Sequence, residues 1–191
     1  MRVPSAAEIA RAVDGAWRLA CRDASGLRAF DPTLEAFWRS FFAAVVVAPF
    51  YVLMLALRDL PAEPRGGLAV MALVEAIGYV ANWVAFPLVM AHVSRLIGRE
   101  RHYLVFVQAF NWSAVIQVVM LLAGSLIAAA DLLPSALAQG IVIGVTLLVL
   151  VYEWYIARVA LELGGAGAAG IVALDLAIGI FLNGAGQSIY L

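Results

Sequence analysis

Apolar residues gather along this chain into five stretches of about twenty residues or more, separated by short polar or proline-bearing gaps. An α-helix of that length rises about 30 Å, the thickness of a bilayer's hydrocarbon core. The pattern predicts transmembrane helices over 37–57, 67–92, 103–130, 137–161 and 167–189. Pro61 and Pro64 fall in the first connection and Pro134 in the third, where helices should stop. Pro49 and Pro87 lie inside the first and second spans, which they are expected to kink, freeing carbonyls to bond elsewhere.

Ahead of the first span the pattern becomes amphipathic. Ile9, Val13, Ala16, Trp17, Ala20 and Leu27 recur at helical spacing, with Arg11, Asp14, Arg18 and Arg22 on the other side. Ser5 and Glu8 have capping-box spacing at its start. Gly26 is expected to end this helix, and Asp31 to cap the next, with Pro32 in its first turn. A helix of this kind beside a first span is expected to lie in the interfacial plane and pack on the cytoplasmic ends of the spans. The chain thus divides into an amphipathic segment, 1–36, and a five-helix membrane domain, 37–191.

Composition agrees with lipid as the solvent: 65% of the 191 residues are apolar and 13% charged, and the mean hydropathy is +0.98. A net charge of −1 leaves no basic excess to neutralise phosphates, so nucleic acid is not an expected partner. Charge also sets orientation. Arg2, Arg11, Arg18, Arg22, Arg28 and Arg39 precede or enter the first span. Arg95, Arg99 and Arg101 follow the second, and Arg158 ends the fourth. The opposite side holds only Arg58 and Arg65, a ratio of ten to two. The positive-inside rule therefore places the N-terminus in the cytoplasm and the C-terminus outside. All twelve basic residues are Arg, a GC-rich coding habit that suits a bacterial inner membrane.

Ionisable groups at bilayer depth are costly and turn to a bundle interior or to water. Glu75, Glu153 and Asp175 are three such groups. At about 100° per residue, Glu75, Gly78 and Asn82 share one helix face. Gln139, Thr146 and Glu153 form a seam on the fourth span, and Asp175, Gly179, Asn183, Gly186 and Gln187 a stripe on the fifth. The third span is polar on two sides, Gln108 with Asn111 and Ser113 with Gln117, which makes it the central helix. Gln108, Asn111, Glu153 and Asp175 lie at one depth, about 8–12 Å from the cytoplasmic edge. They are expected to form one polar cluster, either structural, holding helices together by hydrogen bonds, or a binding site, with Arg158 pairing with Asp175 or Glu162. Glu75 and Asn82 form a second layer. Gly140 and Gly144 make a GxxxG pair suited to close helix contact, within the chain, with another membrane protein or in a homo-oligomer.

No metalloprotease, serine-nucleophile or phosphate-loop motif is present, and Cys21 is the single cysteine. No enzymatic activity, cofactor or metal site is expected.

In its five spans, its amphipathic N-terminal region and two short passages, the chain resembles the Yip family (Ypt/Rab-interacting membrane proteins) and its bacterial relatives. The passages are Phe30-Asp31-Pro32 leading to Phe37-Trp38-Arg39-Ser40-Phe41, and Ala109-Phe110-Asn111-Trp112-Ser113. The resemblance implies a compact five-helix membrane domain without known catalytic activity. It points to a protein that organises or associates with other membrane components. The alternative is a small proton- or ion-coupled transporter or channel component using the intramembrane carboxylates.

Overall fold

The computed structural model describes residues 3–58, 63–130 and 132–191, so Arg2, Asp59 and Pro61 lie outside the described residues. The described chain is helical, without strands. Its α-helices are α1 Ala6–Ala20, α2 Leu34–Ser40, α3 Phe42–Ala56, α4 Gly67–Leu96, α5 Tyr103–Ala129, α6 Ser135–Ala160 and α7 Gly165–Tyr190. Taking α2 with α3 and the turn Glu100–His102 with α5, five helical segments are long and apolar enough to cross a membrane. Their positions match the five apolar stretches. Pro49 and Pro87 sit within α3 and α4, which continue through them.

The first span is two helices rather than one, and the break is at Phe41, not at Pro49. The Ser40 hydroxyl donates to the Phe37 carbonyl at 2.6 Å. The Phe41 amide turns to the Trp38 carbonyl, three residues back, at 3.3 Å. A serine that competes for a helix carbonyl tightens the turn and lets the axis change.

The capping box is present: the Ser5 amide donates to Glu8 at 2.7 Å and the Glu8 amide to the Ser5 hydroxyl at 3.3 Å. Gly26 does not end α1. The helix closes at Cys21, with Arg22 in the left-handed region (φ 61) and the Asp23 amide bonded back to the Arg18 carbonyl at 2.9 Å. The chain then folds over α1 as a 3-10 turn, Ala24–Ala29. Gly26 serves that crossing: a Cβ there would stand 2.4 Å from the Gly15 carbonyl oxygen. Asp31 is not the cap of α2 either. Thr33 caps it, its hydroxyl accepting from the Ala36 amide at 3.2 Å, while Asp31 pairs with Arg11 at 3.1 Å.

Five other helices pack on α5, as expected of the span polar on two sides: α1, α2, α3, α4 and α6. Phe106, Val107, Ala109 and Trp112 of α5 are buried in the core with Phe86, Met90 and Ile156. The helix α1 lies against α5 and α6, burying Ala12, Ala16 and Leu19 while Trp17 stays exposed. Two α6 tyrosines hold it there, Tyr152 donating to the Ala16 carbonyl and Tyr155 to the Arg22 carbonyl, both at 2.6 Å. Arg39 joins α1 to α2 by binding both Glu8 and Glu35. The remaining circuit runs α5, α6, α7, α4, with α7 packed on both α6 and α4.

Candidate functional site

The polar groups of the five long apolar helical segments occupy three places. The first lies where α5 meets the segment ahead of the first span. Gln108 donates to the Asp31 carbonyl at 2.7 Å and to the Leu104 carbonyl of its own helix at 2.9 Å. Asn111 donates to the Ser40 hydroxyl at 2.9 Å. Both side chains are buried; Gln108 joins α5 to the segment ahead of α2, and Asn111 joins it to the α2–α3 break.

The second place is on the other side of α5. Glu153 of α6 is buried, with the Gln117 amide and the Asp175 carboxyl of α7 as its polar neighbours. Gln117 also donates to the Ser113 hydroxyl at 3.0 Å. The expected four-residue cluster is therefore divided. Gln108 and Asn111 bond towards α2, whereas Glu153 faces Gln117, on the side of Ser113, with Asp175 near enough to act on it electrostatically. Glu153 meets α5 at Gln117, about 14 Å along the axis from Gln108 and on another side of it, so both level and direction separate the two groups. Arg158 takes no part in it: its guanidinium lies 5.3 Å from the Trp154 ring centre, exposed, rather than on Asp175 or Glu162. Glu162 instead has His102 and Arg101 beside it, at 3.5 and 3.9 Å. The α6 seam also splits, since Gln139 and Thr146 are exposed while Glu153 is buried.

The third place lies at the other end of the bundle. The buried Glu75 carboxyl accepts from the Tyr51 hydroxyl of α3 on one oxygen and from the Tyr190 hydroxyl of α7 on the other, each at 2.6 Å. The Arg65 amide fixes the Tyr190 carbonyl at 2.9 Å. Three spans thus converge on one acid. Asn82 is not part of this grip. It donates to the Gly78 carbonyl at 2.8 Å and lies beside Gly179 of α7. Sequence reasoning missed Tyr51 and Tyr190, although a tyrosine in an otherwise apolar span is itself a signal that its hydroxyl has a partner.

Between these places lies a cavity of about 360 Å³ that periodicity did not foretell. Its walls come from α3, α4 and α5, with Asn183 reaching in from α7 and Arg58 lining it just beyond the end of α3. Asn82, Asn111, Gln117 and Trp83 place polar groups along it. The helices α3 and α4 on either side barely touch. They are bridged by Tyr79, which donates to the Ala44 carbonyl at 2.6 Å, and by Tyr51 on Glu75. The Tyr51 and Tyr79 rings stack with centres 4.7 Å apart. The α7 stripe serves all these features in turn: Asp175 beside Glu153, Gly179 beside Asn82, Asn183 in the cavity and Gly186 against Val74.

Among the described residues no three His, Cys, Asp or Glu side chains converge as metal ligands would. Comparison with family models, with curated proteins and with solved structures finds no match for this chain.

Proposed function

We propose that this chain is a multi-pass protein of the bacterial inner membrane, Yip-like and non-enzymatic, that associates with other membrane components. Its N-terminus and α1 face the cytoplasm, α1 lies in the interface, and the C-terminus is outside. Ten arginines against two support the orientation.

The observation that carries the associative reading is the outer face of α6. A Cβ added at Gly140 or Gly144 would meet nothing within 4 Å, so this GxxxG pair is not used inside the bundle. By contrast, a Cβ on Gly124 of α5 would meet Val145 at 3.2 Å. In lipid, helices associate through close backbone approach and side-chain hydrogen bonds, and exposed Gln139 adjoins the pair. The partner is another membrane protein or a second copy. Replacing Gly140 and Gly144 together with Leu tests this. Resonance energy transfer between tagged copies and co-purification from crosslinked membranes should both fall at least fivefold. Unchanged association by both measures would overturn the assignment. Reporter fusions at Arg99 and at the C-terminus test orientation, and a cytoplasmic C-terminus would reverse it.

A second reading, a proton- or ion-coupled transport component, is supported by Glu153 and Asp175 being neighbours next to Gln117. It requires pH-driven flux in proteoliposomes that Glu153→Gln abolishes.

A further inference from the structure

We propose that the cavity between α3 and α4 binds a single-chain anionic amphiphile, with its acidic head on Arg58 and a hydrogen-bond donor on its body. The proposal rests on the chain's residence in a bilayer but not on association through Gly140 and Gly144, so either can fail alone.

Three features define this ligand. The first is access. Because α3 and α4 are joined chiefly by the side chains of Tyr51 and Tyr79, the cavity lies behind a seam between two lipid-facing helices. A molecule already dissolved in the bilayer can enter by parting side chains rather than packed backbones. The second is charge. Arg58 lines the outer end of the cavity, and among the described residues it has no ion pair. A guanidinium at the membrane edge binds a carboxylate or phosphate through charge-assisted hydrogen bonds. From Arg58 inward to Val47 the cavity follows α3 for eleven residues, about 16 Å. At about 360 Å³ it sits at the small end of ligand pockets, with room for one chain rather than two.

The third feature excludes a plain hydrocarbon chain. Asn82, Asn111 and Asn183 each spend an N–H on a protein acceptor, Gly78, Ser40 and Gly179 respectively. Their amide oxygens have no donor among the described residues, yet all three side chains line the cavity. An acyl chain alone would cover these oxygens without a hydrogen bond, which costs free energy. A hydroxyl or amide N–H on the ligand body supplies a donor to one of them, which we place at Asn82; Asn183 is exposed and can bond elsewhere. Apolar contacts come from Met54, Val118 and Leu121.

Trp83 lines the cavity and provides the readout. The full chain in detergent is titrated with a brominated fatty acid, and quenching attributable to Trp83 is isolated by comparison with Trp83→Phe. A mid-chain hydroxy fatty acid, its unsubstituted parent and the neutral methyl ester of the hydroxy acid then compete. The hydroxy acid should compete about tenfold better than either. Arg58→Gln, at an exposed position, should weaken it about tenfold and abolish the preference for acid over ester. Asn82→Leu should abolish the preference for hydroxyl over parent. A lysophospholipid competitor decides the source of the anion, matching the hydroxy acid if phosphate serves as the head. Equal competition by the methyl ester, or quenching unaltered in both variants, would overturn the proposal. It would also fall if Val118→Cys, in a Cys21→Ser background, reacted with a charged thiol reagent at a rate the fatty acid does not slow, since the cavity would then be an aqueous vestibule.

Discussion

The grip of Tyr51 and Tyr190 on Glu75 allows a double-mutant cycle with an outcome that geometry fixes in advance. The two hydroxyls donate to different oxygens of one buried carboxyl, each at 2.6 Å. Hydrogen bonds to charged groups contribute about 1.5–3 kcal/mol, whereas interhelical hydrogen bonds in membranes average about 0.6 kcal/mol with a maximum near 1.7. Tyr51→Phe or Tyr190→Phe removes one donor and leaves the other, so each should cost about 1–2 kcal/mol. The Arg65 amide still holds the Tyr190 carbonyl, so the second substitution does not free the end of α7. With both hydroxyls gone the acid is buried without either donor. The double variant should therefore exceed the sum of the singles by about 1 kcal/mol, the sign expected when two groups share one partner. Adding Glu75→Leu to the double variant should recover much of the loss, because an apolar residue carries no desolvation penalty. Reversible unfolding in mixed detergent micelles measures all five proteins. Strict additivity, or single variants within 0.3 kcal/mol of the parent, would refute the view that Glu75 ties three spans together.

Gly26→Ala should destabilise the chain by about 1–3 kcal/mol in the same unfolding assay, since its Cβ would stand 2.4 Å from the Gly15 carbonyl oxygen. Gly140→Ala, with open space at its Cβ, should be neutral or stabilising by up to about 1 kcal/mol in the same unfolding assay. Tyr152→Phe with Tyr155→Phe should raise amide exchange across α1 while leaving that of α5 unchanged, because those hydroxyls cap the Ala16 and Arg22 carbonyls. Trp154→Ala should cost about 0.5–1 kcal/mol through loss of the Arg158 contact and of the indole bond to the Gly165 carbonyl, read by thermal unfolding.

The helices were legible to within a few residues because a hydrophobic run long enough to cross a bilayer has few other solutions. The central position of α5 followed from its two polar faces by the same reasoning. The polar interior was less legible, and the reasons are azimuth and axial level, since Glu153 meets α5 at Gln117 rather than at Gln108. Rise per residue places Gln108, Asn111, Glu153 and Asp175 at one depth, but whether they meet depends on how α6 and α7 are rotated and packed about α5. The break at Phe41 was hidden for a related reason. Ser40 reads as an ordinary polar residue until Asn111, seventy-one positions away, donates to its hydroxyl. Gly26 looks like a helix stop in the sequence because glycine often is one, whereas here it is small so that two backbones can cross. The cavity left no periodic trace: Met54, Val118 and Leu121 look the same in sequence whether they pack on neighbours or face a void.

Gln117 connects the two polar systems that lie on either side of it. It lines the cavity, donates to Ser113 and neighbours Glu153, which in turn neighbours Asp175. An occupant of the cavity would therefore decide what buried Glu153 and half-buried Asp175 can do. An amphiphile along α3 covers Gln117 and isolates Glu153 and Asp175 from the outer end, which leaves them to bind α6 to α7. Water in the same space brings a polar path from Arg58 to Gln117, one side chain short of Glu153, and a proton can then be exchanged there. The two occupancies predict opposite effects of one substitution. Gln117→Leu leaves the Arg58 and Asn82 contacts of a bound amphiphile in place, so competition by the hydroxy fatty acid should change less than twofold. In a hydrated path it removes the last polar step before Glu153, so pH-driven flux, where present, should fall at least tenfold. A large loss of fatty-acid competition without any flux would contradict both, and would mean that Gln117 itself holds the ligand.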